Sequence, residues 1–213
     1  MKRLYPDTDI YAILDLGLSK GRSNVEITKR LLEAEVKIIQ YREKDRKMGV
    51  MLEECRAIRE LTRQAGATFI VNDFTDIALL VDADGIHVGQ EDIPVPELRK
   101  LVGPERIIGL STHSPEQARA AVEAGADYIG VGPIFLTRTK KDVVDPVGLE
   151  YLDYVVKNIK LPFAAIGGIK EHNIGTVAAH GARCCCIISA IVGEDDVAGA
   201  VKNLRRAMRE GRK

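Results

Sequence analysis

Short apolar segments alternate with helical patterns along the whole chain, and this alternation constrains the fold more than any other feature. The segments are Asp9–Asp15, Val36–Tyr41, Thr68–Asn72, Asp84–Val88, Ile107–Ser111, Asp127–Gly132, Pro162–Gly167 and Cys184–Ser189. Helical patterns lie between them, among them Val50–Gln64, Pro115–Ala124, Ile174–His180 and Val197–Arg209. Gly66, Gly125 and Gly181 stand where helices should stop, because glycine adopts the left-handed turn without a Cβ penalty. Ser114-Pro115-Glu116-Gln117 is a helix start, with Ser at the N-cap, Pro at the first position and Gln at the third. Parallel strands joined by crossover helices need both faces covered, which accounts for nearly continuous apolar strands. Eight such units in 213 residues leave short loops. They predict one closed (β/α)8 barrel over residues 1–213, at the small end of its size range. A doubly wound open sheet is the competing arrangement.

The charge balance is even, with 31 basic and 31 acidic residues. No general attraction draws such a chain to nucleic acid or membrane, so any anion site must be local. No apolar run reaches the roughly 18 residues of a membrane span. The N-terminal stretch lacks a long apolar leader region, and a cytoplasmic location is expected. Cys184, Cys185 and Cys186 are consecutive, and neighbours on a strand point to opposite faces. They match no zinc spacing and read, like Cys55, as small buried residues. Two stretches, from Ala83 to Gly89 and from Ala126 to Gly132, share an A-D-x-I-x-V-G pattern. Asp84 and Asp127 open their strands, which places them at the face opposite the strand ends.

The residues that follow each strand converge on one mouth, where barrels of this type place their chemistry. Gln40, Arg42 and Lys44 alternate at the end of the second strand. Arg can grip phosphate as a planar fork and Lys as a point charge; a solvated loop start fits the same residues. Asp73 and Asp92 end neighbouring strands and suit Mg2+, which takes oxygen ligands and shares them with water and phosphate. A helix N-cap for Asp73 and a solvated loop for Asp92 are equally good readings. The loop Gly132–Asp142 carries Thr137, Thr139, Lys140 and Lys141 and is long enough to cover a ligand. Gly167-Gly168 and Ile188-Ser189 end the last two strands, where backbone N–H groups commonly bind phosphate; tight turns are the plainer reading. His87 reads as a satisfied core histidine, His113 as a neighbour of the helix cap, and His172 and His180 as surface. Together the strand ends suit two phosphorylated ligands and a Mg2+ ion.

Several of these segments, in this order, resemble the thiamin phosphate synthase family: "QYREK" at Gln40–Lys44, "VNDFTDIALLVDADGIHVGQED" at Val71–Asp92, "GLSTHS" at Gly109–Ser114, "GADYIGVGPIFLTRTKKD" at Gly125–Asp142, "AIGGI" at Ala165–Ile169 and "ISAI" at Ile188–Ile191. The resemblance implies a (β/α)8 barrel that joins an aminopyrimidine methyl diphosphate to a thiazole phosphate and releases diphosphate. It implies that Gln40, Arg42, Lys44, Asn72 and Lys140 hold the pyrimidine diphosphate and that Ser111 orients the pyrimidine. Asp73 and Asp92 would bind Mg2+. Thr137, Thr139, Gly168, Ile188 and Ser189 would hold the thiazole phosphate. Tyr41, Glu43 and Arg138 fall inside the same motifs and are counted with the binding residues; Arg42, Lys44, Ser111 and Lys140 are the candidate catalytic groups. The implied partners are small molecules, with no nucleic acid and no membrane; assembly into a homo-oligomer is left open by the sequence. Leu136 and Cys185 depart from the family pattern. A thiazole tautomerase-like isomerase and a non-catalytic phosphate sensor are the alternatives on the same barrel.

Overall fold

The computed structural model describes residues 5–137 and 144–212. Eight parallel strands close into a barrel in chain order: β1 (Ile10–Leu14), β2 (Ile38–Tyr41), β3 (Thr68–Asn72), β4 (Gly85–Val88), β5 (Ile107–Thr112), β6 (Tyr128–Val131), β7 (Phe163–Ile166) and β8 (Cys185–Ile187). Ile10 pairs with Cys185 to seal the first strand against the last. The open-sheet alternative is thereby excluded. Helices α1 (Asn24–Glu33), α2 (Met48–Gln64), α3 (Thr75–Leu80), α4 (Val95–Val102), α5 (Pro115–Glu123), α6 (Gly148–Asn158), α7 (Glu171–Ala179), α8 (Ser189–Val192) and α9 (Val197–Gly211) surround the strands. The strands are buried almost throughout, as two-sided coverage requires.

Local signals act where the sequence places them. Ser114 accepts a hydrogen bond from the Gln117 amide, and the Gln117 side chain accepts one from the His113 amide, a reciprocal cap on α5. Gly66, Gly125 and Gly181 all take positive φ. One boundary differs. The eighth apolar run continues to Ser189, but β8 ends at Ile187. The Ile188 carbonyl accepts from the amides of Ile191 and Val192, so the chain turns at once into the short α8.

The repeated A-D-x-I-x-V-G pattern has one structural job done twice. Asp84 accepts from the Phe69 amide on β3 and pairs with Arg59 of α2. Asp127 accepts from the Ile108 amide on β5 and pairs with Arg99 of α4. Each carboxylate thus ties the strand it opens to the strand before it and to the helix that leads into that earlier strand. Both sit away from the mouth, as their position at the strand starts predicts.

Candidate active site

The strand ends surround a cavity of about 1100 Å3. Lys44, Asp92, Ser111, Thr137, Gly168 and Ser189 all line it, so residues from six strand ends meet in one space. Ile188 lines it as well. Arg138, Thr139 and Lys140 lie outside the described residues.

Asp73 follows β3 with φ 60°, a left-handed conformation that Asp and Asn adopt more readily than most residues. Its amide donates to the His87 carbonyl. The helix that follows has Phe74 at its N-cap with no side-chain bond, so Asp73 does not serve as the cap. Its carboxylate instead lies 3.8 Å from Lys44 Nζ. Burial holds the Asp73 carboxyl above the ordinary carboxylate range, and the neighbouring Asp92 charge pushes it the same way; Lys44 and Arg42 pull against both. Asp92 is fixed by the Gly89 amide, which donates to it at 2.6 Å. Two carboxylates that repel each other beside cations and an open cavity form a donor set suited to a hard divalent ion with few protein ligands. Among the described residues no cluster of three or more His, Cys, Asp or Glu offers a fuller cage.

Gln40 and Arg42 lie beneath this layer. Gln40 points inward, and its Nε2 donates to the Tyr11 hydroxyl at 2.6 Å. Arg42 is buried, 3.7 Å from the Asp15 carboxylate at the end of β1. Asn72 closes β3 opposite His87 of β4. Ser111 Oγ meets His87 Nε2 at 2.9 Å, and the Ser111 carbonyl accepts from Gln90 Nε2 at 2.6 Å. Gly167 and Gly168 both take positive φ, and an added Cβ at either would strike the Pro133–Leu136 segment. Glycine is therefore required to bring β7's end close to the loop after β6.

Two motif residues are placed elsewhere. Tyr41 is the outward neighbour of Gln40 on β2, and its hydroxyl donates to Glu54 of α2 at 2.6 Å. Glu43 accepts from the Leu16 amide and from Asn24 Nδ2, which binds the first loop and α1 to the second. Adjacency within a motif is no guide to direction, because successive strand residues face opposite sides. His87 is satisfied, as expected, but one of its partners is a candidate site residue. No local sequence signal gives that contact, since Ser111 lies on the next strand. Cys186, rather than Cys185, lines the cavity floor.

Fold and mouth together define a class: a (β/α)8 barrel enzyme for small molecules, with its polar groups at the C-terminal strand ends. A family model described as thiamine monophosphate synthase matches residues 10–191. The chain therefore belongs to the thiamine monophosphate synthase family. It is 61% identical over 199 residues to the thiamine-phosphate synthase of Pelotomaculum thermopropionicum, across 93% of this chain and 91% of that protein. It is 54% identical over 202 residues to that of Lawsonia intracellularis, across 95% of this chain and 93% of that protein. Among solved structures, thiamine phosphate pyrophosphorylase from Pyrococcus furiosus superposes with a TM-score of 0.87 at 37% identity, covering 96% of this chain and 97% of that one.

Proposed function

We propose that this chain joins an aminopyrimidine methyl diphosphate to a thiazole phosphate, forming thiamin phosphate and releasing diphosphate. The observation that carries the reading is the convergence of Lys44, Asp92, Ser111 and the ends of β7 and β8 on one cavity, with Asp73 held against Lys44 and Asp92 at its edge. Loss of diphosphate leaves negative charge on the departing oxygens and positive charge on the pyrimidine methylene. Lys44, Arg42 and Lys140 neutralise the first. Asp73 and Asp92 would hold Mg2+, which when bound adds charge stabilisation on the diphosphate. Gln40, Asn72 and Ser111 hold and orient the pyrimidine side. Thr137 with Gly168, Ile188 and Ser189 receives the thiazole phosphate, together with Arg138 and Thr139, which follow Thr137 in the sequence. The thiazole nitrogen is already a nucleophile, so the site needs no strong general base. Tyr41 and Glu43 support this arrangement from behind it.

The test is direct. Purified protein is mixed with both substrates and Mg2+, and thiamin phosphate and free diphosphate are measured, with EDTA as control. Both products should appear together and only with the metal. Binding of both substrates without product would overturn the reading in favour of a ligand sensor.

A further inference from the structure

A continuous line of polar side chains crosses the barrel interior beneath the cavity. Gln40 Nε2 donates to the Tyr11 hydroxyl at 2.6 Å. Tyr11 and Tyr128 hydroxyls meet at 2.8 Å. The Tyr128 hydroxyl meets His87 Nδ1 at 2.8 Å, and His87 Nε2 meets Ser111 Oγ at 2.9 Å. Five side chains from β1, β2, β4, β5 and β6 form one chain, and its last member opens into the cavity. The glycines around it make room for the rings: a Cβ at Gly109 would strike both Tyr128 and His87.

Proton counting makes every link run in one direction or every link run in the other. Each hydroxyl has one proton, and neutral imidazole has one N–H. Burial keeps the Tyr11 and Tyr128 phenols protonated, well above their ordinary range. With Gln40 donating at one end, Tyr11 donates to Tyr128, Tyr128 donates to His87 Nδ1, and His87 Nε2–H donates to Ser111. Ser111 then presents its own O–H to the cavity. The reverse order is equally complete. There Ser111 accepts from a ligand and donates to His87 Nε2, His87 carries its proton on Nδ1, and Tyr11 finally donates to the Gln40 carbonyl oxygen. The proton count is the same in both orders. Gln40 Oε1 is buried and has no hydrogen-bond partner among the described residues. The amide therefore loses no bond by turning over, and a ligand with a modest preference can decide the direction.

We propose that the His87 tautomer sets whether Ser111 donates or accepts, and that the aminopyrimidine diphosphate reverses the chain by offering its exocyclic N–H to Ser111. This rests on the function proposed above. The chemistry favours the reversed order in the reaction. As diphosphate leaves, positive charge spreads to the exocyclic amine, and an acceptor at Ser111 stabilises it where a donor would not. His87 is then a positioning residue that acts through Ser111.

Nitrogen-15 NMR of histidine-labelled protein reads the tautomer, with the His87 signal assigned by its loss in His87→Gln. The free protein should carry the proton on Nε2. Saturating aminopyrimidine diphosphate should move it to Nδ1, and thiazole phosphate alone should leave it in place. The same tautomer in the free and pyrimidine-bound protein overturns the proposal. The product assay on the same sample shows separately whether the functional reading itself holds. Tyr128→Phe cuts the chain while keeping the ring. It should raise KM for the pyrimidine diphosphate by about tenfold, the worth of one hydrogen bond, and leave KM for thiazole phosphate unchanged. An equal rise in both, or none, overturns the proposal. Should Tyr128→Phe fail to fold, Tyr11→Phe cuts the chain one link further on and faces the same criteria.

Discussion

Asp73 holds a left-handed backbone beside a carboxylate that repels its own. Burial first, and Asp92 second, raise its carboxyl in the folded protein. A raised carboxyl opposes folding once ionised. The penalty is absent below the unfolded value of about 3.9, grows as pH rises through the folded value, and stays constant above it. Asp73→Asn fits the same φ and removes the charge. In EDTA at neutral pH the variant should therefore melt higher, by about 2–4 °C for each kcal/mol relieved in a domain of this size. The gain should vanish on acidification below about pH 4. Activity should fall sharply in the same variant. A lower melting temperature in EDTA would mean that attraction to Lys44 outweighs the repulsion. The sequence shows a polar residue after an apolar strand, which is enough to nominate Asp73. Its φ and its quarrel with Asp92 depend on a neighbouring strand and are not legible in one segment. The thiols are a simpler case at this scale. Burial pushes the Cys184 thiol up to about 12 and raises Cys55 and Cys185 further. At pH 8 a thiol reagent should leave these three unmodified until the protein is unfolded, as a count of labelled cysteines by mass would show.

The strand-opening aspartates show what an element asks of its first residue. Asp127 receives the Ile108 amide at 2.8 Å and the Arg99 guanidinium. Asp84 receives the Phe69 amide at 2.8 Å and Arg59 at 2.7 Å. Removing either carboxylate takes an acceptor from a cation and from an amide in partly buried surroundings, although Arg99 keeps the Gly103 and Arg106 carbonyls and Arg59 keeps Asp82 nearby. Asp127→Ala should cost about 1.5–3 kcal/mol, the range for hydrogen bonds to a charged group. Urea unfolding measures it, and turnover per folded molecule should not change, because the residue lies at the far end of the barrel. A loss of turnover at full stability would place Asp127 in the site after all. The pattern itself is visible in the sequence, since the two stretches match position by position. Its purpose is not, because both partners come from elements earlier in the chain. Helix ends were legible for the opposite reason: Ser114 and Gln117 act on backbone within a few residues. The end of β8 was not, because an apolar Ile188 suits a buried strand and a buried turn alike.

Across the whole molecule, the barrel interior is polar at its centre and apolar around it. Tyr5 stacks on Tyr128 at 4.4 Å between ring centroids and touches Cys184. From there the polar line runs through Tyr11, His87 and Ser111 to the cavity. Tyr11 and Tyr128 are 117 positions apart, so only closure of the barrel brings them together. Periodicity predicted that closure; it could not predict which side chains would meet inside it. Glycines on β5 and β6 test this arrangement. A Cβ at Gly109 would overlap the fully buried Tyr128 ring as well as His87, and the Tyr128 ring has no space to retreat. At Gly130 the nearest atoms would lie 3.5–3.7 Å away, an ordinary contact. Gly109→Ala should therefore destabilise the barrel by about 1–3 kcal/mol through overpacking, and should disturb the His87–Ser111 bond as well. Gly130→Ala should hold its melting temperature within a degree or two, yet place a methyl on the cavity floor beside Ser111. Its effect should appear as a higher KM for the pyrimidine diphosphate. Thermal melts and steady-state kinetics on the pair separate the two roles. Equal melting losses in both variants would mean that strand geometry, rather than the polar line at its centre, sets the need for glycine.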